Sequence, residues 1–139
     1  MSIWKTKSVT TEKPWGSISE IDSLIDTKGK IIRINADQRT SLKYYPNVNQ
    51  ALYCLSGKVL VHAPSEKEFG DYSTVDGNYF ELEPGDLINI QAENRYRLKA
   101  YEDSVLVELR PGRQNNSEKI MIEDDYGRTQ KETIGDNND

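Results

Sequence analysis

The feature that most limits the fold of this chain is a succession of short alternating or β-branched segments separated by turn residues. Turns are predicted at Lys28-Gly29-Lys30, Ser56-Gly57, Pro84-Gly85 and Glu102-Asp103. The strands predicted between and around them are residues 18–25, 30–36, 58–63, 79–83, 87–91, 95–101 and 104–110, and residues 120–128 are a last structured segment. Residues 18–25 also fit a short helix, but no long amphipathic helix is present. The pattern predicts an all-β sandwich or barrel.

The stretch SLKYYPNVNQALYCLSG, residues 41–57, predicts strand, turn and strand, so that two strands meet here. A strand has a side-chain period of two, which places alternate residues on one face. The predicted inward residues are Ser41, Lys43 and Tyr45 on the first strand, and Gln50, Leu52 and Cys54 on the second. The interior of a small barrel would then carry polar groups.

The length of 139 residues is that of one domain. We expect an N-terminal arm at residues 1–11, a barrel at 12–128 and a disordered acidic tail at 129–139. The segment around residues 65–79 is a long loop or an irregular hairpin. It acts either as a lid over the barrel mouth or as a solvated hairpin tip.

The charge balance and the hydrophobic pattern exclude several classes of protein. A net charge of -5 argues against a nucleic-acid partner, since such domains usually carry a basic field. No apolar run is long enough for a membrane span, and the N-terminus lacks the apolar core of a signal peptide. We therefore expect a cytoplasmic protein with no membrane partner. The single cysteine, Cys54, excludes an internal disulfide and a thiolate-based zinc site, and its apolar surroundings predict a buried, inert thiol.

Two sets of spacings resemble the motifs of the cupin superfamily, His-x-His-x4-Glu-x6-Gly and Gly-x5-Pro-x-Gly-x2-His. In this chain the corresponding patterns are Lys43-x-Tyr45-x4-Gln50-x6-Gly57 and Gly85-x5-Gln91-x-Glu93-x2-Tyr96. Segments 12–16 (EKPWG), 41–45 (SLKYY) and 124–128 (DDYGR) also resemble those of the type II mannose-6-phosphate isomerases. The resemblance covers residues 12–128 and implies a single-domain cupin with a double-stranded β-helix, or jelly-roll, barrel.

All four positions where the family places its metal ligands carry other residues, namely Lys43, Tyr45, Gln50 and Tyr96. An amide is a poor ligand, a phenol must lose a proton to bind well, and an ammonium repels a cation. We therefore expect no metal and no cofactor. One hypothesis is that Lys43 replaces the ion by offsetting an anionic ligand, with Tyr45, Gln50 and Tyr96 forming hydrogen bonds around it. The alternative is that Lys43 pairs with a carboxylate and the tyrosines fill space.

Several residues outside these four positions have both a functional and a structural interpretation. Arg128 and Asp125 are ligand-binding candidates, because an arginine there suits the phosphate of the substrates that the resemblance implies, but a surface ion pair explains them equally well. Arg95 and Arg97 alternate with Tyr96, which predicts that both face solvent. Trp15 is predicted to be a packing anchor, and His62 a structural or surface residue.

Three functions remain open at this stage, and no residue is assigned a catalytic role. The first is a metal-free module that binds a sugar phosphate or nucleotide sugar and has lost the isomerase activity. The second is a metal-independent sugar isomerase or epimerase in which Lys43 exchanges protons with Tyr45 or Tyr96. The third is a structural or partner-binding cupin with a filled barrel. Edge strands and the exposed arm predict a homodimer.

Overall fold

The computed structural model describes residues 2–21, 26–64, 77–112, 119–123 and 131–132, and every regular element in them is a β-strand. No helix in these ranges is long and apolar enough to cross a membrane. The strands are β1 (Val9–Lys13), β2 (Gly16–Ile21), β3 (Thr27–Ile34), β4 (Leu42–Tyr44), β5 (Gln50–Ser56), β6 (Val59–Ala63), β7 (Asn78–Leu82), β8 (Leu87–Ile90), β9 (Arg97–Ala100), β10 (Ser104–Pro111), β11 (Lys119–Glu123) and β12 (Lys131–Glu132). The all-β prediction is confirmed, and residues 18–21 are strand rather than helix.

The strands form a large sheet and two small ones. The large sheet is antiparallel and has the order β1-β2-β3-β10-β5-β8. The small sheets have the orders β12-β11-β4 and β7-β6-β9. Isolated bridges, Lys43 to Tyr96 and Arg39 to Lys99, connect the β4 region to β9 and so join the small sheets into one layer. The result is a two-layered β-fold with a single core.

The core lies between the two layers and is held together by side chains from both. Trp15 is fully buried in it, which confirms the predicted packing anchor. The other buried members include Ile18, Ile32, Leu52 and Leu106 from the large sheet and Val59, Val61 and Leu98 from the small ones. Burial of such side chains contributes roughly 1.5 to 3 kcal/mol each and is the main force that holds the layers together.

Two sequence-based expectations about the chain path need correction. The strands predicted to meet between residues 41 and 57 do not pair, because β4 lies in a small sheet while β5 pairs with β10 and β8 of the large one. The connection through Pro46 therefore carries the chain from one layer to the other. In addition, β1 begins at Val9, within the segment expected to be an arm, and pairs along its whole length with β2.

Strand β10 has the reverse of the polarity expected for a strand on a core. Its buried face carries Ser104, Leu106, Glu108 and Arg110. Its opposite face carries Val105, Val107 and Leu109, and Leu109 is 45% exposed. The more polar side of the strand thus points into the barrel, and the more apolar side points away from it.

Gly57 and Gly85, the glycines of the two motifs, share a left-handed backbone conformation but differ in how closely other atoms surround them. Gly57 and Gly85 both have positive φ, 88° and 97°. A Cβ at Gly57 would overlap with Ser104 Oγ and lie 2.6 Å from the Asp103 carbonyl oxygen, whereas a Cβ at Gly85 has no atom within 4 Å.

We predict that Gly85→Ala lowers the free energy of unfolding by about 1 to 2 kcal/mol, the cost of a left-handed alanine. Gly57→Ala should lower it by a further ~1 to 3 kcal/mol because of the overlap. Urea unfolding of both variants measures the difference. Equal losses would contradict the crowding at Gly57.

Candidate functional site

The four positions that resemble metal-ligand positions are all turned into the barrel. The exposed fractions are 3% for Lys43, 3% for Tyr45, 5% for Gln50 and 2% for Tyr96. For Lys43, Tyr45 and Gln50, this burial confirms the inward face predicted from the period of two. Their role in binding stays a prediction.

Lys43 and Tyr96 form a direct pair between β4 and the start of β9. Their backbones exchange two hydrogen bonds of 3.1 and 3.0 Å. The Lys43 Nζ atom lies 4.6 Å from the centroid of the Tyr96 ring. A buried ammonium at this distance gains cation–π attraction, which holds the positive charge inside the barrel.

A second group of polar side chains surrounds Glu108 on β10. Gln50 Nε2 donates a hydrogen bond of 3.0 Å to Glu108 Oε1, and Arg110 Nε lies 3.9 Å from Glu108 Oε2. The Arg110 guanidinium also lies 5.8 Å from the centroid of the Tyr45 ring. Lys30 is the direct cross-strand neighbour of Glu108 and is likewise buried. We call Tyr45, Gln50, Glu108 and Arg110 the Glu108 cluster.

A small cavity joins the two groups. It is lined by Trp15, Ile32, Thr40, Lys43, Tyr96, Leu98 and Glu108. Its volume is ≈ 10 Å³, which is about the space that one water molecule needs. Lys43 and Tyr96 thus share a cavity with the carboxylate of Glu108, and Gln50, Arg110 and Tyr45 are connected to it through that carboxylate.

Two buried nitrogens of Arg110 donate no hydrogen bond to any of the residues that the structure describes. Nε and Nη1 are buried and have no hydrogen-bond acceptor there, and Glu108 Oε2 has no donor. A buried guanidinium nitrogen without an acceptor is costly, so water or an anionic ligand is the expected partner.

The donor set does not fit a divalent cation of the kind that the family resemblance implies. The four positions offer an ammonium, two phenols and an amide, and the one buried carboxylate beside them, that of Glu108, already contacts Gln50 and Arg110. Among the described residues, no group of three or more His, Cys, Asp or Glu side chains converges. Metal chemistry therefore enters no step of the function proposed below.

Several residues differ from expectation. Arg97 was predicted to face solvent but is 5% exposed, and its Nε donates a hydrogen bond of 3.1 Å to the Thr40 carbonyl oxygen. Arg95 is half-buried, with its guanidinium 4.9 Å from the centroid of the Tyr44 ring. Alternation did not distinguish a covered from an exposed face here, since Tyr96, Arg97 and Leu98 are all buried. Asp125 and Arg128 lie outside the described residues, as does most of the 65–79 segment.

Sequence reasoning missed Glu108 and Arg110, although both lie in a predicted strand. Their signal is two charges at i and i+2, on the same face as Leu106. Hydrophobicity alone favours the other face of this strand as the buried one, with its Val-x-Val-x-Leu pattern at residues 105–109. Only the three-dimensional structure shows that this charged pair lies on the buried side of β10.

The two remaining reactive side chains lie apart from this site. Cys54 is fully buried, and burial, with the negative charges of Asp86 and Glu83, raises the pKa of its thiol. A raised pKa means less thiolate, which agrees with the predicted inert cysteine. His62 on β6 stacks on Tyr79, with ring centroids 4.4 Å apart.

Comparison with known proteins shows the fold. No protein-family description and no curated protein match the chain. Among solved structures, it is similar to oxalate decarboxylase from Lactobacillus farciminis in a formate complex, with a TM-score of 0.66 and 16% identity over 83% of this chain and 33% of that one. It is similar to KdgF from Halomonas sp., with a TM-score of 0.62 and 14% identity over 81% of this chain and 97% of that one. A cupin-2 domain protein from Shewanella frigidimarina gives a TM-score of 0.54 and 11% identity over 68% of this chain and 78% of that one.

These likenesses show that the chain has the cupin double-stranded β-helix fold, as predicted. The chain spans one third of the length of the oxalate decarboxylase. At these identities the likeness is one of fold alone. The finer resemblance to mannose-6-phosphate isomerases rests on the sequence motifs.

The pairing of Glu108 with Arg110 predicts that substitutions of the two residues change the free energy of unfolding in a non-additive way. Glu108→Leu should lower the free energy of unfolding by roughly 3 to 5 kcal/mol, because it leaves the Arg110 charge buried without its carboxylate. The double variant Glu108→Leu, Arg110→Met removes both charges and should lose less than the single variant. Urea unfolding of the two single variants and the double variant measures the coupling, and additive losses would rule the pairing out.

Burial of Cys54 predicts a pH dependence of stability. Since the folded-state pKa is raised, the unfolded chain releases the thiol proton at lower pH than the folded chain does. The buried, protonated thiol therefore makes its full contribution to the free energy of unfolding below the ordinary thiol pKa of ~8.5. That contribution is lost as the pH rises through the pKa of the thiol in the folded state. The stability of wild type relative to Cys54→Ala should therefore fall at alkaline pH, as measured by urea unfolding. Rapid reaction of the native thiol with a disulfide reagent at neutral pH would contradict the burial.

Proposed function

We propose that this cupin-fold chain is a metal-free binding module for an anionic, hydroxylated small molecule of the sugar-phosphate or nucleotide-sugar class. It has lost the metal-dependent isomerase activity of the family that its motifs resemble. The observation that carries the proposal is the placement of Lys43 and Arg110 in the barrel interior, around positions that the family uses for metal ligands.

The charge of the interior supports an anionic ligand. Among the described residues at the site, the buried cationic side chains are Lys30, Lys43 and Arg110, and the buried carboxylate is that of Glu108. Buried charges interact more strongly than exposed ones, because the surrounding dielectric is low and salt screens them less. An anion that enters this environment gains attraction that a neutral sugar or a metal cation does not.

The polar groups also match a hydroxylated ligand. Glu108 Oε2 is positioned to accept a hydrogen bond from a hydroxyl group, and Arg110 Nε and Nη1 are positioned to donate to a phosphate oxygen. The phenols of Tyr45 and Tyr96 face the same interior. A sugar phosphate presents both kinds of partner within one molecule.

The cavity is smaller than such a ligand, so binding requires side chains to move. Lys43 and Tyr96 line the cavity and are held by a cation–π contact. A phosphate offers Lys43 a stronger partner than an aromatic ring, because the attraction is then between opposite full charges. The ligand therefore provides the interaction that separates the pair.

The same small cavity favours a second candidate, a structural or partner-binding domain whose barrel is filled by its own side chains. With a volume of ≈ 10 Å³, the cavity admits about one water molecule. The two candidates differ in one measurable respect. The binding module responds to small anions, and the filled barrel does not.

Thermal unfolding with mannose 6-phosphate, mannose and inorganic phosphate tests the proposal. At about 100 times its Kd a ligand stabilises the folded state by ~2.7 kcal/mol, which raises Tm by several degrees. We expect this shift with mannose 6-phosphate, a smaller one with phosphate and none with mannose. Chelators should change neither Tm nor the shift.

Variants assign the effect to the interior. Lys43→Met and Arg110→Met should abolish the shift, whereas Lys99→Met, at an exposed position on β9, should keep it. A shift that survives both interior variants, or that needs an added metal, contradicts the proposal. No shift with any of these probes or with a nucleoside-diphosphate sugar favours the filled barrel, and turnover of the sugar phosphate would favour the metal-independent isomerase.

A further inference from the structure

Glu108 and Arg110 leave two unsatisfied polar atoms close together inside the barrel. Among the residues that the structure describes, Glu108 Oε2 has no donor and Arg110 Nε has no acceptor. The two atoms are 3.9 Å apart, which is too long for a hydrogen bond between them. The side chains are only 3% and 4% exposed, so bulk solvent does not satisfy them. The pair therefore needs a third group that interacts with both atoms.

The carboxylate is held in this orientation by its other oxygen. Gln50 Nε2 donates a hydrogen bond of 3.0 Å to Glu108 Oε1. Strand β10, which carries Glu108 and Arg110, is paired with β3 on one side and β5 on the other. Since both the backbone and one carboxylate oxygen are fixed, Oε2 remains beside the guanidinium group.

The chemistry of the two atoms defines the group that fits between them. An ionised carboxylate only accepts hydrogen bonds, and a guanidinium nitrogen only donates them. A single oxygen that serves both must accept from Arg110 Nε and donate its own proton to Glu108 Oε2. Hydrogen bonds of about 2.8 Å to each atom are compatible with their separation. A hydroxyl oxygen has both functions, whereas an ionised oxygen carries no proton and is repelled by Glu108.

We propose that Glu108 is a specificity-determining residue, which selects anions that carry a hydroxyl group over anions that carry none. The hydroxyl oxygen binds between Arg110 Nε and Glu108 Oε2, and Arg110 Nη1 remains as a donor for an ionised oxygen of the same ligand. This inference rests on the binding function proposed above, and it names a group that the ligand must have.

An anion without a hydroxyl group is disfavoured for two reasons. It leaves Glu108 Oε2 buried without a donor, and it brings a negative charge close to the carboxylate in a medium of low dielectric. Sites that form a hydrogen bond with a hydroxyl group of their substrate reject analogues that lack it by up to about 10⁵-fold. Here we expect a preference of at least ~10-fold.

The hydroxyl group can belong to the acid group of the ligand or to its sugar, and four compounds distinguish these sources. Inorganic phosphate carries a P–OH group at about pH 6, and roughly half of a phosphate ester is protonated at this pH. Sulfate carries no hydroxyl group, and mannose 6-sulfate carries only those of the sugar. Isothermal titration calorimetry of the wild-type chain with phosphate, sulfate, mannose 6-phosphate and mannose 6-sulfate gives the four Kd values.

The two sources give different orders of affinity, and both support the proposal. If the hydroxyl group belongs to the acid group, each phosphate compound binds more tightly than its sulfate counterpart. If it belongs to the sugar, both sugar esters bind more tightly than both inorganic ions. In either case sulfate binds at least ~10-fold more weakly than mannose 6-phosphate.

Glu108→Gln tests the residue itself, because an amide has a similar size and can donate as well as accept. The ratio of the Kd for sulfate to the Kd for mannose 6-phosphate should fall by at least ~10-fold in this variant. A role limited to charge would change both Kd values by the same factor and leave the ratio unchanged. The matched control is Glu81→Gln on β7, where the side chain is 56% exposed; it should change neither the affinities nor the ratio.

Two outcomes would overturn the role of Glu108 while leaving the binding module in place. They are a wild-type chain that binds sulfate as tightly as mannose 6-phosphate, and a ratio that Glu108→Gln does not change. A wild-type chain that binds none of the four compounds contradicts the binding module and this inference together. Circular dichroism and urea unfolding establish that Glu108→Gln is folded, and if it is not, the wild-type ratio alone decides.

Discussion

The buried carboxylate of Glu108 is the interaction on which the interior of this barrel depends. Moving an isolated charge out of water costs several kcal/mol even after relaxation, and a cation needs an opposite charge or strong hydrogen bonds to remain inside. Glu108 accepts a hydrogen bond from Gln50, lies 3.9 Å from Arg110 and has Lys30 as its cross-strand neighbour. The cavity that it shares with Lys43 extends its field to the pair that Lys43 forms with Tyr96. One acidic side chain thus makes a cationic interior compatible with folding.

Glu108 lies on a central strand, which gives the Glu108 cluster a rigid support. Strand β10 pairs with β3 over eight residues and with β5 over five, so its backbone is fixed on both sides. Inward side chains on such a strand project from a rigid support, which favours a defined geometry over a mobile one. The same rigidity applies to the outward side chains. The polar inward side and the apolar outward side of β10 are therefore two consequences of how one strand is oriented.

The strands and several inward residues could be predicted from the sequence, whereas the buried side of β10 and the sheet to which each strand belongs could not. The reasons are physical. Turn residues and β-branched segments mark the strands, and the period of two places Lys43, Tyr45 and Gln50 inward. Periodicity defines two faces of a strand but does not say which is buried, and for β10 hydrophobicity indicates the wrong one. Sheet membership was also beyond local pattern, since β4 and β5 are close in sequence but lie in different layers. Arg97 shows the same limit, since it was predicted to face solvent but is buried and donates a hydrogen bond to the Thr40 carbonyl oxygen.

The fold leaves the chemistry to the side chains at a few interior positions. The oxalate decarboxylase, KdgF and the cupin-2 domain protein carry different names and share only 11 to 16% identity with this chain, so the common scaffold does not imply a common activity. What differs here is the identity of the groups that the scaffold directs inward. An ammonium and a guanidinium attract anions directly, where a bound cation would do so through coordination. Because these positive charges belong to side chains, the interior presents them without a bound ion.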